Sequence, residues 1–81
     1  MWLELQARVS PEMPLVIPRL KELAASRGFA LRIDDEAALD ATGAGRIEIE
    51  APDIDEQGIA HAAVQALIDE VPGGPETFTI V

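Results

Sequence analysis

The sequence predicts an α+β fold: a four-stranded antiparallel sheet with two helices packed on one face. Three observations predict it. Four short segments alternate apolar and polar residues, the period of a half-buried strand. Two longer segments space their apolar residues by three and four, the period of an amphipathic helix. The segments follow one another as strand, helix, strand, strand, helix, strand.

The first strand is "WLELQARV", residues 2–9. Leu3, Leu5, Ala7 and Val9 point to one side, and Trp2, Glu4, Gln6 and Arg8 to the other. Ser10 then suits an N-cap and Pro11 the first helical position. Met13, Val16, Ile17, Leu20, Leu23 and Ala24 form the apolar stripe of the first helix. Gly28 ends it, since glycine readily takes the left-handed conformation past a helix C-terminus. Pro14 and Pro18 each remove an N–H, and Pro18 lies well inside a helix that begins at Pro11. The expectation is a bend at Pro18 or a regular part that starts late, near Ile17.

"FALRID" is the second strand, with Phe29, Leu31 and Ile33 inward. An acidic loop with Gly43 and Gly45 leads to the third, "RIEIEA", with Ile47, Ile49 and Ala51 inward. The second helix lies in "PDIDEQGIAHAAVQALIDEV". Asp53 is placed to cap it, with Glu56 three residues on in the manner of a capping box. Its buried stripe is Ala60, Ala63, Val64, Leu67 and Val71. "PGGP" stops it, and "ETFTIV" is the last strand, with Phe78 and Ile80 inward. The open face of the sheet then carries Trp2, Glu4, Gln6, Arg8, Ala30, Arg32, Glu48, Glu50, Thr77, Thr79 and Val81.

This order covers residues 1–81 as a single domain and resembles the ferredoxin-like βαββαβ sandwich. That architecture hosts many unrelated functions. ACT-type regulatory domains share the strand–helix order, and the likeness implies a ligand-sensing or assembly domain. They usually carry a glycine in the turn after the first strand, where this chain has "VSPEMP". Acylphosphatases share the architecture too, but they need an asparagine on a central strand, and this chain contains none.

Composition narrows the chemistry. A chain of 81 residues, 48% apolar, has a real but modest core. With no cysteine and one histidine, it has no disulfide and no multi-histidine zinc site of its own. The first residues lack the basic region of a signal peptide, and no apolar run approaches the roughly 20 residues of a membrane span. The expected home is the cytoplasm, without a membrane partner.

The net charge of −9 is unevenly placed. Residues 1–33 hold Arg8, Arg19, Lys21, Arg27 and Arg32 against Glu4, Glu12 and Glu22, a balance of +2. Residues 34–81 hold twelve acids against Arg46, a balance of −11. Direct nucleic-acid binding is disfavoured, because phosphates call for a basic surface. A basic protein partner is favoured.

In the expected topology one end of the sheet gathers Glu12, Asp34, Asp35, Glu36, Asp40, Asp69, Glu70 and Glu76, with only Arg8 and Arg46 to offset them. Asp69 and Glu70 also oppose the dipole of their helix, which prefers cations at its C-terminus. The partner-binding candidates are therefore Asp34, Asp35, Glu36, Asp40, Asp69, Glu70 and Glu76. Asp53, Asp55, Glu56, Glu48 and Glu50 have structural reasons instead, as cap, first-turn or solvent-side positions. On the open face, antiparallel pairing of the outer strands is expected to bring Trp2 near Thr79 and Val81, a small apolar patch for a homodimer.

"DDEAALDATGAG" lacks the alternating oxygen ligands of a calcium-binding loop, so neither metal nor cofactor is expected. No nucleophile elbow, phosphate loop or dinucleotide fingerprint is present. His61, the one ordinary base near neutral pH, falls on the solvent side of the second helix. The expectation is a non-enzymatic acidic binding module. Its sharpest form is an inhibitor that mimics nucleic acid and fills the basic groove of a nucleic-acid-handling protein, as small phage anti-defence (anti-CRISPR) and toxin-immunity proteins do. The alternative is the ACT-like domain that dimerises through its open sheet face.

Overall fold

The computed structural model describes residues 1–8, 11–34 and 45–81. Its elements are β1 (Trp2–Ala7), α1 (Met13–Ser26), β2 (Ala30–Asp34), β3 (Arg46–Glu50), α2 (Gln57–Glu70), α3 (Gly74–Thr77) and β4 (Phe78–Ile80). The four strands form one antiparallel sheet in the order β2-β3-β1-β4.

The alternation of the strands decides which face is covered. Leu3 and Leu5 of β1 and Ile47 and Ile49 of β3 pair across the sheet centre and are buried with Phe78 of β4. Met13, Val16, Ile17, Leu20 and Ala24 of α1, with Ala60, Val64, Leu67 and Ile68 of α2, close over that face in one apolar cluster. Leu23 and Ala63, expected in the two stripes, are half-buried at their margins. Among the described residues no helix lies over the opposite face, where Glu4, Gln6, Arg32, Arg46 and Thr79 are exposed.

Helix α1 runs unbroken from Met13, with Pro14 in its first turn and Pro18 inside it. It therefore starts two residues later than Pro11, and not late at Ile17. Its N-cap is Glu12, which makes no side-chain capping bond. Gly28 takes φ +78°, as a residue just past a helix should. Helix α2 also starts later than the sequence predicts. Asp53 is no cap: it sits at φ +56°, and the N-cap is Glu56, extended and without a side-chain bond. The connection before it is held to the chain start. The Met1 ammonium donates to the Ile54 carbonyl at 3.1 Å, and the Ala51 N–H donates to the Met1 carbonyl at 3.3 Å.

The largest departure is a third helix, the single turn α3, where "PGGPET" leads from α2 to the last strand. A side chain at Gly74 would run into the Ile68 carbonyl oxygen, so only glycine lets this turn close on the end of α2. Gly73, at φ +79°, reverses the chain, and the Thr77 hydroxyl donates to the Gly73 carbonyl at 2.7 Å. Thr77 is thereby buried rather than on the open sheet face, and β4 shortens to three residues.

Val9 and Ser10, expected as an inward strand residue and a helix cap, lie outside the described residues. Asp35, Glu36 and Asp40, and Gly43 of the same loop, do too.

Candidate functional site

At the end of the sheet where β1 and β2 finish, strand order sets the charges. Asp34 closes β2 and pairs in register with Arg46, which opens β3. Next comes Arg8, just past β1, whose N–H donates to the Thr77 carbonyl at 2.7 Å. Glu76 stands in α3, before β4. Asp34 and Glu76 thus occupy opposite edges, about 14 Å apart at roughly 4.8 Å per strand. Two arginines come between them in strand order. Among the described residues, this row sets two acids at the edges around two bases in the middle.

Asp69 and Glu70 do not join it. The Glu70 carboxylate accepts from the Arg27 guanidinium at 2.7 Å. Arg27 is the C-cap of α1, one helix length, about 20 Å, from Glu12 at the other end. From Glu70 the chain turns back along α1. Val71 and Pro72 pass Arg19, Glu22 and Leu23, and Gly73 comes beside Glu12 and Val16. Asp69 accepts instead from the Gln65 amide at 3.0 Å on its own helix. Arg27 was the residue missing from the sequence-level picture. It neutralises an acid 43 positions away and brings a cation to two helix C-termini at once.

The foot of the sheet, by contrast, holds acids with little to offset them. Glu50 meets the Met1 ammonium at 3.9 Å. Asp53, Asp55 and Glu56 are exposed, make no helix-capping bond and have no ion pair among the described residues. The sequence signal was present as three acids in four residues, but it reads as a capping box and so looks structurally used.

On the open face, Trp2 is only half-exposed. The Arg32 guanidinium lies 3.8 Å from its ring centre and also reaches Glu48 at 3.4 Å. Arg46 meets Glu4 at 3.3 Å. Register separates the expected apolar patch. Thr79 pairs with Gln6, four residues along β1 from Trp2. The Val81 N–H donates to the Glu4 carbonyl at 3.0 Å, which leaves Val81 diagonal to Trp2 and 72% exposed. Trp2 is covered by an arginine rather than continuous with Thr79.

His61 is exposed on α2. Among the described residues no three acidic or histidine side chains converge as a metal site would require, and no helix is long and apolar enough to cross a membrane. No family model matches this chain, and no curated protein or solved structure matches it.

Proposed function

We propose that this protein is a small acidic binding module that engages a basic protein, in the manner of an inhibitor that mimics nucleic acid. The observation that carries this is how the charges are used. Arg27, Arg32 and Arg46 are each taken up by an internal carboxylate. Asp34, Asp53, Asp55, Glu56, Asp69 and Glu76 are exposed without an ion pair among the described residues. Internal pairing takes up three of the six lysines and arginines and leaves a surplus of accessible carboxylates, which steers a basic partner by long-range attraction. We assign Asp34, Asp35, Glu36 and Asp40 to one contact set, and Glu76 stands at the same end of the sheet as Asp34. Asp53, Asp55 and Glu56 form a second set at the foot.

The scaffold we assign is ferredoxin-like. The order of strands and helices and the two 14-residue helices over one sheet face support that, and the one-turn α3 is an addition to it.

The test is retention of proteins from lysate on three baits. One is wild type. In the second, Asp34, Asp35 and Asp40 become Asn and Glu36 becomes Gln. In the third, Asp53 and Asp55 become Asn and Glu56 becomes Gln. The expected result is a basic nucleic-acid-binding protein held by wild type, released by salt and by duplex DNA, and lost from at least one variant. Equal retention on all three baits, or retention indifferent to salt and DNA, would sink the proposal.

A further inference from the structure

The four strands do not bury their apolar residues equally. Ile47 and Ile49 of β3 are fully buried, while Leu31 and Ile33 of β2 are only half-buried. Strand order explains this. β2 is an outer strand, paired with β3 on one side and with no other strand among the described residues. The short side chains of Ala24 and Ala25 on α1 leave a groove of about 410 Å³ beside it, lined also by Lys21, Phe29, Leu31 and Ile33.

An outer strand with a free backbone edge is a template for pairing, and monomeric proteins commonly blunt it with proline, lysine or a bulge. The five residues Ala30–Asp34 include no proline, glycine or lysine. They do carry opposite charges two positions apart, Arg32 and Asp34, on the open face. Asp34 is exposed and open to a cation. Its register partner Arg46 is engaged by Glu4 at 3.3 Å, and no ion pair reaches Asp34 among the described residues.

We propose that a second copy of this chain occupies the β2 edge, the two β2 strands pairing antiparallel about a two-fold axis at Ile33. In that register Arg32 of each copy faces Asp34 of the other, giving two identical charge pairs on the open face. Ile33 meets Ile33 on the inner face, at the mouth of the groove. A two-fold contact must be self-complementary in this way, and a register centred on Arg32 would instead set like charges opposite each other. The Arg32 guanidinium has five N–H donors, so its bond to Glu48 and its place over Trp2 leave donors for the new carboxylate. The inference shares Asp34 with the acidic-module proposal but needs neither the foot acids nor a basic partner, so sedimentation of the pure chain tests it separately.

The test is sedimentation velocity over a concentration series, with circular dichroism to verify folding. Wild type is expected to show a reversible dimer. Arg32→Asp and Asp34→Arg alone each oppose like charges and should weaken it about tenfold or more. The double exchange Arg32→Asp with Asp34→Arg restores the cross-copy pairs and should recover most of the loss. It also moves both charges within each copy, so recovery reports the pairing between copies. The chain has no cysteine, so Ile33→Cys places a single thiol in each copy. Mild oxidation should link Ile33→Cys faster than Leu31→Cys. A wild type that stays monomeric at every concentration, a double exchange without recovery, or faster linking through Leu31→Cys would each overturn the proposal.

Discussion

The inner and outer faces of the sheet are made from alternate residues of the same strands, yet different physics holds them. Inside, Leu3, Leu5, Ile47 and Ile49 lose nearly all their water to α1 and α2. Outside, the neighbouring positions exchange charge: Arg46 with Glu4, Arg32 with Glu48 and with the Trp2 ring, the Met1 ammonium with Glu50. Apolar burial is nondirectional and scales with area, whereas exposed ion pairs gain little beyond what water already provides. The inner face should therefore carry the stability, and the outer face should set local geometry and charge.

The largest expected effect tests that directly. Ile49→Ala removes a fully buried side chain between β1 and β2 and should cost about 3 kcal/mol, within the usual range for such core deletions. For a domain of this size that lowers the melting temperature by roughly 12–24 °C. Leu31→Ala in β2 deletes a comparable side chain that is only partly buried, and should cost about 1.5 kcal/mol. Thermal melts of both at low protein concentration measure the contrast. If Leu31→Ala proves as costly as Ile49→Ala, β2 is covered in solution.

The inner face was also the legible one. The alternation in "WLELQA" and "RIEIE" and the three-and-four spacing of Met13, Val16, Ile17, Leu20 and Ala24 locate the core from sequence, because burial follows a period that can be counted. Errors arose where one local signal had two physical outcomes. Asp53 and Glu56 fit a capping box, but Asp53 adopts a left-handed conformation and the helix begins beyond both. "PGGP" stops α2 as expected, yet Gly74 is also small enough for a new helical turn against the Ile68 carbonyl, and that turn buries Thr77. The charge pattern of the candidate site was least legible. Whether Glu70 joins Glu12 or meets Arg27 depends on how α2 and α1 cross, and no sequence period encodes that.

The next prediction moves to the outer face. Arg32→Ala uncovers the Trp2 ring and removes the contact to Glu48. An exposed cation–π contact is worth about 0.5–1 kcal/mol, and the melting temperature should fall by only a few degrees. Tryptophan emission provides a second readout. The chain has one tryptophan, and its spectrum should shift to longer wavelength as the ring gains water. An unchanged spectrum would mean that the guanidinium does not cover the ring in solution.

The smallest effect belongs to Arg46 and Glu4, 3.3 Å apart, with about half of each side chain open to solvent. A double-mutant cycle of Arg46→Ala and Glu4→Ala should give a coupling of about 0.5 kcal/mol or less, reduced further in high salt. The value of this measurement lies in its asymmetry. Removing Glu4 also removes one of the fifteen acids, whereas removing Arg46 deletes the one base in residues 34–81. Arg46→Ala should therefore destabilise more than Glu4→Ala, because it leaves Glu4 and Asp34 without their nearby cation. Salt should shrink that difference along with the coupling. If the two single variants instead cost the same at low salt, the surplus of negative charge is too well hydrated to act over these distances. The outer face would then be a set of isolated pairs rather than one field.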